Sequence, residues 1–266
     1  MRIFDEPPPS ADARIRYGPD PSQFGDLRLP AGAGPHPVVV VIHGGFWRAR
    51  YDLEHIGHMC AALTAMGTAT WGIEYRRLGN PGGGWPGTFL DVAAATDLLR
   101  ELARPHNLDL NRVVAVGHSA GGHLALWLAS RHRIPPGGPL HDPSPLPVRA
   151  AVSLAGVADL RRAWELRLSR GVVQEFMGGP PDRCPERYAT ASPIELLPLG
   201  VPQTLIHGTR DESVPLEISE RYYTGATLLG DEARLVALPG AGHFELIDPQ
   251  SHEWGVVAKE ILELLA

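Results

Sequence analysis

A serine in a glycine-flanked turn is the residue best suited to chemistry in this 266-residue chain. Ser119 lies within residues 117–121 (GHSAG), after a β-branched run at 113–116 and before a helix-like pattern. The flanking glycines allow a strand to fold sharply into a helix, because side chains there would collide. Such a turn strains the serine backbone and exposes its hydroxyl, so the motif predicts a nucleophile. His118 and His123, on either side, are expected to pack beneath the turn.

A serine hydroxyl is a weak nucleophile and needs a base, which in turn needs an acid to orient it. His243 and Asp211 each follow one of the last two apolar runs of the chain. We predict that His243 takes the proton of Ser119 and that Asp211 fixes the imidazole tautomer. Asp159, which follows the preceding apolar run, is the alternative acid, and capping of a helix near Pro215 is the alternative role for Asp211.

A third segment has the composition of an oxyanion hole. Residues 43–47 (HGGFW) directly follow the apolar run at 38–42. Adjacent glycines let backbone N–H groups turn toward a developing negative charge. We assign the donors to the N–H groups of Gly45, Phe46 and Ala120, which no side-chain substitution removes.

The elements that position these residues are predicted from hydrophobic periodicity. Continuous apolar runs, typical of parallel strands buried on both faces, alternate with segments of helical spacing. Two segments at 14–17 and 26–29 alternate polar and apolar residues and predict an antiparallel hairpin at the sheet edge. The pattern indicates an α/β fold with a mostly parallel sheet of about eight strands and helices on both faces. Ligands of such sheets bind beyond the carboxyl ends of the strands. The apolar runs lie at 38–42, 68–75, 113–117, 149–155, 203–207 and 234–238.

Length and composition favour one domain over residues 1–266. Three consecutive prolines predict an extended or poorly ordered arm over residues 1–12. Residues 156–199 carry helical signals without a clear strand, and so long an excursion predicts a cap or lid.

Several aromatic side chains in or near the loops are candidates for the walls of a substrate pocket, with core packing an equal alternative for each: Trp47, Trp85, Trp164, Phe176 and Phe244.

Charge and composition argue against several partners. The formal net charge of −6 and the lack of a basic run argue against nucleic acid, and no apolar stretch reaches membrane-spanning length. An N-terminus rich in acids and prolines is unlike a signal peptide, so we expect a cytoplasmic protein with reduced cysteines.

We expect no cofactor and no metal, because His55 and His58 lack a third ligand at suitable spacing. Glu74 and Arg76 supply either a buried ion pair or a substrate contact. The sequence leaves open whether the protein is a monomer or a homodimer.

Four segments together resemble the esterase and kynurenine formamidase (arylformamidase) branch of the α/β-hydrolase superfamily: 43–47 (HGGFW), 117–124 (GHSAGGHL), 207–211 (HGTRD) and 242–244 (GHF). The resemblance covers the chain from about residue 25 onward and implies a cofactor-independent serine hydrolase. Such an enzyme cleaves a small carboxylic ester or aryl formamide through an acyl-enzyme on Ser119. Kynurenine formamidases often have tyrosine where this chain has Phe46. Two further interpretations are a peptidase resembling the prolyl-oligopeptidase catalytic domain and a non-catalytic binding protein on a hydrolase fold.

Overall fold

The computed structural model describes residues 1–266, apart from the side chain of Arg2, and contains one eight-stranded sheet. The strands are β1 (Ala13–Arg16), β2 (Phe24–Arg28), β3 (His36–Ile42), β4 (Ala69–Ile73), β5 (Leu108–His118), β6 (Ala150–Leu154), β7 (Gln203–Gly208) and β8 (Ala233–Leu238). Their order across the sheet is β1-β2-β4-β3-β5-β6-β7-β8. The predicted strand count is confirmed.

Helices occupy most of the connections between the strands. They are α1 (Arg2–Asp5), α2 (Gly57–Ala65), α3 (Gly87–Asp97), α4 (Leu99–Leu102), α5 (Ala120–Ser130), α6 (Leu160–Glu165), α7 (Leu168–Met177), α8 (Pro185–Ala191), α9 (Glu217–Leu228) and α10 (Trp254–Glu263). Short 3-10 turns lie at Leu53–Ile56, Arg131–Arg133, Pro193–Leu196 and Glu245–Ile247. In the part of the chain that is described, no helix combines the length and apolar composition needed to cross a membrane.

The direction of the strands follows the predicted pattern. β2 runs antiparallel to its neighbours β1 and β4, whereas the pairs from β4 to β8 are parallel. The side chains of β3 alternate between two cores: Val38 and Val40 join one buried cluster, and Val39 and Val41 join the other. A strand buried on both faces must be continuously apolar, which is why its sequence shows no polar alternation.

Helices cover both faces of the sheet, as predicted. On one face, α2 and α10 contribute Met59 and Val257 to a single buried cluster. On the other face, α3, α5 and α9 contribute Phe89, Leu124 and Tyr222. The loops at the carboxyl ends of the parallel strands are therefore held between two packed layers of helices.

Residues 156–199 add helices α6, α7 and α8 to the second face. Their apolar side chains Val172, Phe176 and Tyr188 are buried in the same cluster as α3 and α5. The α7 segment opens with a left-handed stretch in which Arg170 has φ 62°. The excursion is thus anchored in the core. Its movement as a lid stays a prediction.

The N-terminal arm is attached to the rest of the domain by packing and by hydrogen bonds. It begins with the one-turn helix α1, and Ile3 is buried in the cluster beneath α2. The His58 Nε2 donates to the carbonyl of Glu6 at 3.1 Å. The Arg28 guanidinium donates to the carbonyl of Pro9 at 2.9 Å. The prolines prevent this segment from forming regular secondary structure, so its carbonyl groups need other hydrogen-bond donors. The side chains of His58 and Arg28 supply them and hold the arm in place.

Candidate active site

Ser119 occupies the sharp turn between β5 and α5. Its backbone lies at φ 56° and ψ −119°, a region that L-residues rarely adopt. A Cβ on Gly117 would lie 2.0 Å from the carbonyl oxygen of Gly121, and a Cβ on Gly121 would lie 2.1 Å from that of Ile42. Both positions therefore exclude a side chain, as the motif predicts. The Ser119 amide donates to the Leu154 carbonyl at 2.8 Å, which attaches the turn to the end of β6.

The predicted base and acid lie side by side in the loops after β8 and β7. His243 Nδ1 donates to Asp211 Oδ2 at 2.6 Å, and both side chains are buried. Asp211 Oδ1 accepts the backbone N–H groups of Ser213 (2.8 Å) and Val214 (2.9 Å). Burial would raise the pKa of Asp211, but hydrogen bonds from His207 and His243 outweigh it and hold this pKa far below its usual range. An ionised Asp211 keeps a proton on Nδ1 of His243, which leaves Nε2 to act as a base.

His118 lies between Ser119 in the chain and the predicted base in space. Its ring centroid lies 4.5 Å from that of His243, and it directly precedes Ser119. Among the described residues, no hydrogen bond joins Ser119 Oγ to His243. Such bonds are often long in unliganded enzymes and tighten when substrate binds.

Asp159, the alternative acid, has a structural role. Its Oδ1 accepts the N–H of Arg162 at 2.9 Å and caps α6. Its Oδ2 accepts a hydrogen bond from Nε of Arg221 at 3.0 Å. Because both oxygens bond to partners other than His243, the geometry favours Asp211 as the acid.

The loop after β3 lies directly against the nucleophile. A Cβ on Gly44 would lie 3.0 Å from the Cβ of Ser119, which shows how closely the two backbones approach. Three consecutive residues, Gly45 (φ 106°), Phe46 (φ 51°) and Trp47 (φ 54°), have left-handed backbone conformations. Non-glycine residues adopt this region at an energetic cost that clusters at functional sites. The surrounding structure, rather than the intrinsic preference of these residues, therefore holds the loop in this conformation.

The three predicted oxyanion donors are available for a ligand. The backbone N–H groups of Gly45, Phe46 and Ala120 donate to no other residue that the structure describes. Ala120 is the first residue of α5, where N–H groups lack helical partners and the helix dipole is positive. Unpaired backbone donors are rare in folded proteins. Binding of an oxyanion by these three groups stays a prediction.

Buried polar contacts support this loop from behind. The His43 ring donates from Nε2 to Glu74 Oε1 at 3.0 Å. The Tyr75 hydroxyl donates to the His43 carbonyl at 2.8 Å. Arg76 pairs instead with Asp91, with 2.7 Å between Nη2 and Oδ1. Glu74 also pairs with Arg77, with 3.0 Å between Oε1 and Nη1, so Glu74 and Arg76 each form an ion pair within the protein, the first of the two roles that the sequence allowed.

The aromatic pocket candidates divide into buried and half-buried side chains. Trp47 and Phe176 are fully buried and stack with ring centroids 4.4 Å apart, which favours core packing, the alternative that the sequence left open for each. Trp85 and Trp164 are half-buried, and Trp164 lines a cleft of about 720 Å³ formed by residues of α6 and α7. Phe244 is half-buried and lies edge-on to the ring of the predicted base at 5.0 Å. Contact of these three side chains with substrate stays a prediction.

His207 is a site residue that sequence reasoning missed. Its Nε2 donates to the carbonyl of Val214 at 2.8 Å and lies 3.4 Å from Asp211 Oδ2. The side chain is fully buried at the end of β7. The sequence could have indicated it, because His207 is the last residue of the predicted strand at 203–207 and lies four residues before Asp211. It helps to fix the loop that carries the carboxylate.

Buried neutral histidines surround the turn. Burial lowers the pKa of His55 to about 3 and that of His123 to about 4. Burial, followed by the nearby His243, lowers the pKa of His118 well below its ordinary value. The His55 ring lies 5.9 Å from the ring of His43. His55 therefore packs in the interior beneath the site.

We expect the protein to lose stability when the pH falls from 7.5 to 5.0. The ordinary histidine pKa is 6.5, so the unfolded chain takes up protons below that pH while buried His55 and His123 do not. Stability is complete above pH 6.5 and falls below it, by about 2 kcal/mol at pH 5.0 for each histidine that stays neutral. The lowered pKa of Asp211 acts in the same direction only below its ordinary value of 3.8.

Thermal unfolding at the two pH values measures this effect. The variant His55→Leu removes one neutral histidine and should show a smaller fall in Tm between pH 7.5 and 5.0. Equal Tm values at both pH values for the unaltered protein would contradict the expectation.

Solved esterase structures share this architecture. Esterase B from Lactobacillus rhamnosis, inhibited by C6-C4 SN3, superimposes with a TM-score of 0.83 at 21% identity, covering 99% of this chain and 89% of that chain. A likeness at this identity establishes the fold alone. With a serine turn after β5 beside a glycine loop after β3, the fold is that of the α/β-hydrolases. Within that class, the chain belongs to the BD-FAE family, which matches residues 26–225.

Curated relatives confirm the predicted resemblance to esterases. Esterase LipC of Mycobacterium tuberculosis is 31% identical over 252 residues, which cover 88% of this chain and 60% of LipC. Kynurenine formamidase of Meyerozyma guilliermondii is 29% identical over 162 residues, which cover 59% of this chain and 56% of that protein. The matched regions span little more than half the length of either relative.

Proposed function

We propose that this protein hydrolyses carboxylic esters of small molecules with Ser119 as the nucleophile. The observation that carries the proposal is the 2.6 Å hydrogen bond from His243 to Asp211, beside the strained turn of Ser119. A histidine whose Nδ1 is held by a buried carboxylate is oriented to act as a base through Nε2. Similarity to a protein named as an esterase supports the ester class.

The first half of the reaction forms an acyl-enzyme. Ser119 Oγ bonds to the ester carbonyl carbon while His243 Nε2 takes the hydroxyl proton. The carbonyl oxygen becomes an oxyanion and accepts hydrogen bonds from the N–H groups of Gly45 and Phe46 and from that of Ala120. We call residues 43–47, which carry the first two donors, the oxyanion loop. The bond to the leaving alcohol then breaks, and the alcohol takes the proton from His243. Asp211 stabilises the imidazolium while that proton is held.

The second half repeats these steps with water. A water molecule gives a proton to His243 Nε2 and bonds to the acyl carbon. Collapse of the second tetrahedral intermediate releases the carboxylic acid and returns the proton to Ser119 Oγ. The catalytic group is regenerated, because the proton that left Ser119 with the alcohol is replaced by one from water.

Hydrolysis of aryl formamides is the second candidate function. The sequence HGGFW at residues 43–47 and the similarity to a kynurenine formamidase favour it. The same catalytic group would transfer a formyl group to Ser119 and release an aromatic amine. Formate would then leave on hydrolysis of the acyl-enzyme.

We expect turnover of p-nitrophenyl acetate and covalent labelling of Ser119 by an alkyl fluorophosphonate. Mass spectrometry of the digested protein locates the label and its stoichiometry. An activated ester should give a higher kcat/KM than N-formylkynurenine, because amide resonance makes the formamide carbonyl less reactive. Failure to turn over any ester, or a label on another residue, would contradict the proposal. A formamide preference of several orders of magnitude would establish the second candidate instead.

A further inference from the structure

His118 links the strand of the nucleophile to the loop of the base. It is the last residue of β5 and is buried behind Ser119. Its Nε2 lies 2.9 Å from the carbonyl oxygen of His243. A carbonyl oxygen only accepts hydrogen bonds, so Nε2 of His118 carries the proton and donates it. The bond therefore joins the residue that precedes Ser119 to the main chain of His243.

The ring of His118 is held in a neutral state. Its second nitrogen, Nδ1, is buried and has no hydrogen-bond partner within the described residues. Protonation there would create both an unpaired donor and a buried charge, each of which is costly. Burial first, and His243 second, hold the pKa of His118 well below its ordinary value. A neutral ring next to His243 does not repel the imidazolium that forms during catalysis.

The loop of the base is attached to the loop after β7 at two points: the Gly240 N–H donates to Thr209 Oγ1, and the Ala241 carbonyl accepts the N–H of Arg210, each at 2.9 Å. The bond from His118 adds an attachment at His243 itself. Residues 239–243 (PGAGH) contain two glycines, lie outside helices and strands, and include Gly240 at φ 81°. Glycine gives this backbone more freedom than other residues would. Asp211 holds only the imidazole of His243. The hydrogen bond from His118 holds the main chain that carries this imidazole.

His118 also contacts the opposite side of the site. A Cβ placed on Gly44 would lie 3.1 Å from His118 Nδ1, so the ring lies against the glycine loop as well. One side chain thus touches the loop of the base and the oxyanion loop, and its own backbone continues into the nucleophile.

We propose that His118 is a positioning residue that sets the distance between Ser119 and His243. The inference rests on the proposed function, because it concerns proton transfer between these two side chains. A misplacement of about 1 Å can lower a catalytic rate by about 100-fold. Loss of this hydrogen bond should therefore slow the chemistry more than it weakens substrate binding.

His123, in the first turn of α5, provides a matched control. It is also fully buried, its Nε2 also donates to a main-chain carbonyl, that of Ala191 at 2.8 Å, and its Nδ1 also lacks a partner among the described residues. Its ring contacts involve Trp47, Phe89 and Phe176, whereas His118 contacts the base. Its removal should cost comparable stability without moving the base.

The test compares His118→Leu, His118→Gln and His123→Leu with p-nitrophenyl acetate as substrate. We expect His118→Leu to lower kcat by about 10- to 100-fold. KM should stay within about twofold, because His243 serves both half-reactions and both slow together. His118→Gln places an amide N–H near the same carbonyl and should recover most of the activity. His123→Leu should keep kcat close to that of the unaltered protein while its Tm falls by a similar amount.

Several outcomes would overturn the inference. An unchanged kcat in folded His118→Leu, with normal turnover by the unaltered protein, would remove the positioning role and leave the proposed function intact. An equal loss of kcat in His123→Leu would assign the effect to general destabilisation. If His118→Leu does not fold, His118→Asn replaces it, because its shorter amide cannot reach the carbonyl. Absence of turnover by the unaltered protein would instead contradict the proposed function.

Discussion

Ser119→Ala is expected to lower kcat for p-nitrophenyl acetate by about a million-fold. The hydroxyl forms the bond to the acyl carbon, and no other group at the turn can replace it. Without it, His243 and Asp211 have only water to activate. The backbone N–H groups of the oxyanion loop remain, so a small rate above the uncatalysed reaction should persist. Steady-state kinetics of the purified variant measure the loss.

The stability of this variant provides its control. Alanine at φ 56° carries the same backbone strain as serine, so the Tm should change little. A folded, inactive protein that no longer reacts with the fluorophosphonate is the expected result. Retention of even a tenth of the kcat would rule out Ser119 as the nucleophile.

The sequence predicted those features that depend on local sterics or on burial of a whole strand. The glycines around Ser119 could be recognised because a side chain at either would collide with backbone at about 2 Å, whatever the rest of the fold. The strand β3 and the second half of β5 could be recognised because burial on both faces demands continuous apolar runs, here 38–42 and 113–117. The predicted catalytic residues Ser119, Asp211 and His243 then fall in the loops after β5, β7 and β8.

Long-range packing escaped prediction for a physical reason. An aromatic residue in a loop has the same local sequence whether it lines a pocket or enters the core. Trp47 and Phe176 stack on each other only because the excursion at 156–199 folds back onto the sheet. His118 and the carbonyl that it binds are 125 residues apart. No local pattern encodes that hydrogen bond.

The contact between His43 and Glu74 is explained by the register of two neighbouring strands. His43 and Glu74 follow Ile42 and Ile73, which are paired in the parallel ladder of β3 and β4. The residue after each strand therefore lies beside its counterpart, and the hydrogen bond between His43 and Glu74 follows from the register. Once the neighbouring strands were known, a histidine and a glutamate at these ends were predictable partners. The strand order had to come from the structure, because β4 lies outside β3 in the sheet.

Asp159→Asn is the control for a test of the catalytic acid. Asparagine can still cap α6 through its amide oxygen, and the lost ion pair involves Arg221, whose side chain is largely exposed. We expect kcat to stay within about twofold of the unaltered protein, with a loss of stability below about 1 kcal/mol. If this variant loses more kcat than Asp211→Asn, the assignment of the acid is wrong.

Asp211→Asn is expected to lower kcat by about 10,000-fold, through the tautomer of His243. The N–H groups of Ser213 and Val214 both point at Oδ1, so an asparagine must place its oxygen there. Its NH2 group then replaces Oδ2 and donates to Nδ1 of His243, where the carboxylate had accepted. The imidazole proton moves to Nε2, which can no longer take the proton of Ser119. The rate should recover partly at high pH, where hydroxide removes the need for a base, and a flat pH profile in this variant would contradict the tautomer argument.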